Sequence, residues 1–340
     1  MISSRTEGCT LTGALSVTTS VTDAVSVIHG PDGCAHHNFS LLHALHSDND
    51  QLVLPAILST SLKEQEIIFG GEGALEDTIA GALSGNPGAI FVLTSCVAAA
   101  IGDDVRAVCS EAYGCPVIVV PTGGFLGGGF SDGMRSALVA LSRLCLGGHQ
   151  SGTVNLVGEK NLEFEAEANY REVARLLSLL GVKIQLRFVR NIPVSAIGTL
   201  GSASLNIMRD ESLADVGSAL EDRFGTPFLP SFPVGFEGTL SFLSRVGEEL
   251  DIPSETAISA EMANQNKIIG HFSDLRGKAV MINRGGQAPG PVLTELLEIF
   301  DLELKDRGRL LSVPDPVPVG SSGLSRMLSR WRRIISCETA

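Results

Sequence analysis

Three apolar runs in the first third of the chain constrain its fold most: AVSVIH (24–29), AIFVLTS (89–95) and PVIVVPT (116–122). Each breaks abruptly into Gly, Ser, Thr, Pro or Cys. Helical patterns such as GALEDTIAGAL (73–83) lie between them. Strands buried on both faces read as unbroken apolar runs, and strands alternating with helices build parallel sheets. The same alternation returns twice. TVNLVG (153–158), EANYREVARLLSLLG (167–181), KIQLRFV (183–189) and SLADVGSALEDRFG (212–225) form a second block. LRGKAVMINRGG (275–286) and PVLTELLEIFDLEL (291–304) form a short third one. The expectation is an α/β fold of three Rossmann-like domains with mostly parallel sheets. They should cover residues 1–150, 151–265 and 266–312. A Pro/Gly-rich linker and a C-terminal helix (LSRMLSRWRRIIS, Trp331 inward) should occupy 313–340.

Composition narrows the function classes. A chain of 340 residues that is 44% hydrophobic can fill two or three cores. Its formal net charge is −13, and no Lys/Arg run precedes residue 329, which argues against nucleic-acid binding. No apolar run approaches the roughly 20 residues of a membrane span. The N-terminus lacks a basic stretch followed by an apolar one, so a cytoplasmic location is expected. TGGFLGGGF (122–130) lacks the G-x-G-x-x-G spacing of a dinucleotide loop.

Seven cysteines occur, at 9, 34, 96, 109, 115, 145 and 337, with no C-x-x-C pair. That excludes a zinc ribbon and a bacterial ferredoxin run. Three share a setting. Cys9 follows Gly8, Cys34 follows the turn HGPDG, and Cys96 stands where AIFVLTS passes into a helix. A helix N-terminus lowers a thiol pKa and favours metal ligation. Soft thiolates select iron–sulfur centres over hard cations. On spacing alone, a soft metal centre and small buried hydrophobes both satisfy these positions. His36 and His37, beside Cys34, are candidate proton donors, with capping as the alternative. His29, His43 and His46 read as structural, and Asp103–Asp104 as a helix cap.

HGPDGCAHH, EQEIIFGGEGALEDTI, TSCVAAAIGDDV and VPTGGFLGGGFSDG stand in the order, and at roughly the intervals, found in nitrogenase component 1 subunits. VNLVGEKN, EVARLLSLLGVKI, EDRFGTPFLPSFPVGFEGT and DLRGKAVMIN continue the match, so the chain resembles that family over most of residues 7–305. The resemblance implies a nitrogenase component 1-like fold, C-terminally shortened. It places the family's interface-cluster ligands on Cys9, Cys34 and Cys96, holding an iron–sulfur cluster of the 4Fe-4S type at a homodimer interface. The segment that carries the cofactor's Cys in nitrogenase reads SLNIMRDESLADV here, without Cys and with Arg209. The space is then open to an organic acceptor. Nitrogenase-like enzymes that reduce tetrapyrroles are similar to this chain, above all those that cyclise the nickel tetrapyrrole nickel-sirohydrochlorin a,c-diamide in methanogenic archaea. Scaffolds for cofactor assembly, and reductases of other substrates, are the alternatives. No G-x-x-x-x-G-K-[ST] occurs, so electrons are expected from a separate ATP-hydrolysing iron–sulfur reductase protein. The carboxylates of such a ring would need cations. Arg209 and Arg284 are the substrate-binding candidates, joined by His271, with Arg187 and Arg190 as weaker ones.

Overall fold

A computed structural model describes residues 8–48, 54–148, 152–163, 165–282, 290–305, 309–314 and 316–336; for residues 46–48 it describes the backbone alone. Arg284 and Cys337 fall outside the described residues. The apolar runs became strands, and among the described residues every strand pair is parallel.

The first segment runs α1 (Thr10–Thr18), β1 (Ala24–His29), α2 (Asp32–Asp48), β2 (Ile57–Ser59), α3 (Glu64–Phe69) and α4 (Glu72–Leu83). It continues through β3 (Ala89–Thr94), α5 (Cys96–Ile101), α6 (Val105–Cys109), β4 (Val117–Val120) and α7 (Phe130–Ser142). The sheet order is β2-β1-β3-β4, with Val27 beside Val92 and His29 beside Thr94. The two central strands are almost wholly buried, as their continuous apolar runs require.

The second sheet repeats that order. It contains β5 (Val154–Val157), β6 (Ile184–Phe188), β7 (Leu205–Met208) and β8 (Phe228–Leu229), arranged β6-β5-β7-β8. Helices α8 (Ala166–Leu179), α9 (Val194–Ile197) and α10 (Ala214–Phe224) accompany it in sequence. Glycine ends two of these helices: Gly181 and Gly225 take positive φ just beyond α8 and α10. After α11 (Phe236–Leu250) and α12 (Glu255–His271) comes a three-stranded sheet. Its strands are β9 (Ala279–Ile282), β10 (Glu303–Leu304) and β11 (Arg309–Leu311), in the order β10-β9-β11, with α13 (Pro291–Ile299) between the first two. The last helix is α14 (Gly320–Ser336).

By contact density the chain divides into two compact units rather than three consecutive domains. One comprises residues 3–166 and 184–230, with both four-stranded sheets; the other comprises 167–183 and 231–340. In the first, one apolar core joins β1 and β3 through Ile28, Phe91 and Leu93 to β5 and β6 through Val157, Leu186 and Phe188. That shared core merges the first two expected domains. In the second, residues 167–183 leave their neighbours in sequence. Glu172 of α8 accepts hydrogen bonds from the Ser322 backbone N–H and hydroxyl, so its carboxylate caps α14. The helix therefore begins at Gly320, inside the segment expected to be a linker. Trp331 is buried as expected, its indole N–H donating to the Ser312 carbonyl at 2.9 Å.

Candidate functional site

In a parallel sheet the first-to-third-strand neighbour is where successive crossovers part to opposite faces. Ligands bind there, outside the strand C-termini. In the first sheet that point lies between β1 and β3, and the chain after each carries a cysteine. Cys34 is the third residue of α2 and Cys96 the first residue of α5. Cys9 joins them from a third direction. It is the N-cap of α1, forms a β-bridge with Gly129 after β4, and precedes Thr10, whose hydroxyl donates to the Gly124 carbonyl at 2.7 Å. All three thiols thus sit at the beginnings of helices, along one end of one sheet.

Two glycines allow this convergence. A Cβ on Gly30, at the end of β1, would lie 2.4 Å from the Ser95 hydroxyl, so only glycine lets the two cysteine turns approach. Gly124, at φ +57°, would place a Cβ 2.8 Å from the Cys96 backbone nitrogen. Ser95 caps α5, its hydroxyl accepting from the Ala98 N–H.

The helix-start setting predicted lowered thiol pKa values. Cys34 behaves otherwise. Burial raises its pKa, and the neighbouring Cys96 and Cys9 raise it further by repulsion between thiolates. Cys9 and Cys96 are thus the two thiols near enough to act on Cys34. Cys9 and Cys34 line one cavity of about 250 Å³ with Leu11, Thr12, His37, Asn38, Leu41 and Phe125. Phe125 and Leu126 are 76% and 71% exposed at its edge, which composition gave no reason to expect. His37 lines the cavity and is exposed; His36 is exposed and does not line it. His43 stacks on Phe39.

The residues from 9 to 304 match the family described as nitrogenase component 1 type oxidoreductase. The chain belongs to the nitrogenase component 1 family. A NifE of Methanococcus maripaludis, named as a nitrogenase iron-molybdenum cofactor biosynthesis protein, is 30% identical over 89% of this chain and 65% of its own length. The molybdenum-iron protein alpha chain of Methanothermobacter marburgensis is 28% identical over 85% of this chain and 67% of its own. The chain spans 60–65% of the length of the first NifE relatives it matches. The solved nitrogenase Cp1 at pH 6.5 superposes with a TM-score of 0.67 at 22% identity, over 90% of this chain and 61% of that one. That likeness shows the fold.

Family members bind iron–sulfur clusters in general, and this donor set suits one. It consists of two soft thiols, Cys9 and Cys34, on the wall of a small, mostly apolar cavity, with the thiol of Cys96 near Cys34. Among the described residues no group of three or more His, Cys, Asp or Glu is spaced to hold a single metal ion. A cluster of several irons holds its thiolates further apart than one ion does. Cys109 and Cys145 are buried and stand elsewhere; burial pushes the Cys109 thiol up to about 11. No described helix is long and apolar enough to cross a membrane.

Behind this face lies a pair that the sequence reading passed over. His29 Nε2 is 2.8 Å from Asp103 Oδ2, and its Nδ1 is 3.2 Å from the Thr60 hydroxyl. Asp103 also accepts from the Gly71 N–H at 3.1 Å. Only Asp104 serves as the expected cap, accepting from Ala107 N–H at the start of α6.

Two of the arginines expected to meet substrate carboxylates, Arg209 and Arg187, already have carboxylates of their own. Arg209, 4% exposed at the end of β7, donates to Glu163 at 3.2 Å. Arg187 forks onto Glu159 with two bonds of 2.7 Å, and Arg190 donates to the Asn161 side chain at 3.1 Å. Burial raises the Glu163 pKa against the pull of Arg209 and Lys160. His271 ends α12 in an exposed position beside Arg332 and edge-on to Phe272.

Proposed function

We propose that the chain is the cluster-bearing component of a nitrogenase-like reductase. Cys9, Cys34 and Cys96 hold an iron–sulfur cluster of the 4Fe-4S type, and electrons pass through it to an organic acceptor. The observation that supports this most is the convergence of three thiols, 87 residues apart in sequence, on the strand ends of one sheet. When bound, the group supplies one-electron relay. The chain's own residues fix the thiols at helix starts and shield those of Cys9 and Cys34 in the cavity. His37, on the cavity wall, is the nearer of the two candidate proton donors. Exposed Phe125 and Leu126 at the edge suit burial against a second copy of the chain. The electron donor is an ATP-hydrolysing iron–sulfur protein.

Arg209 supports an organic acceptor over a large metal–sulfur cofactor. The end of β7 offers a buried guanidinium there, and no thiol to anchor such a cofactor. The acceptor we favour is a nickel tetrapyrrole of the sirohydrochlorin a,c-diamide type, with Arg209 as a candidate contact. For Arg209 this requires that a substrate carboxylate displace Glu163 or share the guanidinium with it. A second reading, a part in building a metal–sulfur cofactor, is favoured by the names of the NifE relatives.

Anaerobic reconstitution tests both. The wild type should take up iron and sulfide with visible absorbance, and Cys9→Ala, Cys34→Ala and Cys96→Ala should each lose it. With a nitrogenase-type iron protein and ATP, nickel-sirohydrochlorin a,c-diamide should show a changed spectrum and a reduced, cyclised product. Iron uptake without tetrapyrrole binding, but with delivery of a metal–sulfur cofactor to a recipient, would install the second reading. Failure to bind iron would sink both.

A further inference from the structure

Asn38 stands one turn after Cys34 on α2, on the same helix face. It is 2% exposed and lines the cavity shared by Cys9 and Cys34. Its Nδ2 donates to the Cys34 carbonyl at 2.8 Å, which fixes the rotation of the amide. Turning the amide over would press two oxygens together. The other end, Oδ1, is buried and has no hydrogen-bond partner among the described residues. Buried polar atoms are almost always satisfied, so an orphan fixed in place requires an explanation. A water offers a poor one, because it needs two to four polar partners and Leu11, Leu41 and Phe125 form much of this wall.

Three cysteines leave one iron of a four-iron cluster without a protein ligand. We propose that Asn38 supplies it, through Oδ1. The proposal rests on the cluster reading above and adds to it a non-cysteine, oxygen ligand from the same chain. His37 lines the same cavity but is exposed, whereas Asn38 is buried and held by its bond to the Cys34 carbonyl. A neutral amide in place of a fourth thiolate leaves the cluster one charge less negative, which raises its reduction potential. It also makes one iron chemically distinct from the other three.

The test is spectroscopic and needs no turnover. The full chain, reconstituted anaerobically with ⁵⁷Fe, should show one iron site distinct from three by Mössbauer spectroscopy. Asn38→Ala should lose that iron to give a three-iron form, or keep it open and bind added 2-mercaptoethanol with a changed spectrum. Asn38→Asp should hold all four irons at a lower midpoint potential than the wild type. Asn38→Cys should make the four sites alike and lower the potential further. An Asn38→Ala protein with the wild-type Mössbauer spectrum and potential overturns the assignment, as does loss of the distinct site in His37→Ala alone. Either result leaves the three-cysteine reading standing. A wild type that takes up no iron removes that reading and this one together.

Discussion

The position of Cys9 depends on how closely two helices cross, and that distance can be challenged with one methyl group. On Gly133 of α7 a Cβ would lie 1.8 Å from the Thr10 carbonyl oxygen and 2.5 Å from its carbon. The opposing Gly13 of α1 faces the Phe130 carbonyl oxygen at the same 1.8 Å. Ordinary contact begins near 3.4 Å, so either substitution must part the helices by about 1.6 Å. The obstructing atoms are backbone, and no side-chain rotation relieves them. Overpacking of this kind costs about 1–3 kcal/mol, while alanine gains about 1 kcal/mol over glycine inside a helix. The net loss is then at most about 2 kcal/mol, read as a urea midpoint below that of the control at unchanged slope. Because Thr10 follows Cys9, the displacement should also reduce iron loading at temperatures where the variant stays folded. Gly81→Ala in α4, where a Cβ meets nothing within 4 Å, is the control and should be neutral or stabilising. A Gly133→Ala protein as stable and as fully loaded as Gly81→Ala would refute the close crossing.

Three further outcomes follow from buried groups. His29→Leu strands the Asp103 carboxylate, whose side chain is 2% exposed, and should cost about 3 kcal/mol; Asp103→Asn should cost less, and equal urea midpoints for both variants and wild type would show that the pair does not couple. In the second unit, burial works against the charge on Glu172, but bonds from Arg175 and Ser322 outweigh it and hold its pKa below the ordinary 4.5. A lowered folded pKa gives stability that is present above the unfolded value and lost as pH falls through the folded one. Glu172→Gln should therefore be less stable than wild type by about 1–3 kcal/mol at pH 7, with the gap narrowing below pH 4.5; a gap that is constant or widens in acid would contradict the sign. Finally, the Cys109 thiol, raised to about 11, should resist iodoacetamide at pH 8 in the folded apo-protein, and fast labelling mapped to it by peptide mass would count against its burial.

Much of the architecture was legible because burial on both strand faces leaves no polar residue to break the pattern. AVSVIH became β1 with the bounds of its run, and AIFVLTS became β3 up to Thr94, with Ser95 left to cap the next helix. The three cysteines could be singled out because each stands where a helix begins. The approach of Cys34 and Cys96 followed from a rule about parallel sheets: crossover connections return every strand C-terminus to one end; Cys9 precedes the first strand and is brought in by its bridge to Gly129. What the sequence did not reveal depends on long-range pairing. GEKNLEFE contains three acids, but nothing local announces that Glu159 and Glu163 meet arginines 28 and 46 residues further on. Asn38 was hidden for a related reason. An amide one turn beyond a cysteine is ordinary in sequence, and only the buried, unpartnered oxygen sets it apart.

The arginine pairs also sharpen what any carboxylated substrate must do. Arg209 is not idle, and its partner carries the cost. Burial raises the Glu163 pKa even with Arg209 and Lys160 nearby, so the native state holds that carboxylate under strain at neutral pH. A raised folded pKa means that the penalty is present above it and is relieved as pH falls towards the unfolded value. A substrate carboxylate arriving at Arg209 would compete with a poorly solvated acid rather than with water. If the acid leaves or takes a proton, the guanidinium is released to the newcomer. Glu163→Gln, which keeps the shape and removes the charge, should then tighten tetrapyrrole carboxylate binding by up to about tenfold, roughly 1.4 kcal/mol. It should also flatten the dependence of binding on pH above the ordinary 4.5 of a glutamate, where the wild type should bind better as pH falls. Spectral titration of wild type and variant across that range measures both effects. Weaker binding by Glu163→Gln at every pH would mean that Glu163 orients Arg209 for the substrate instead of competing for it.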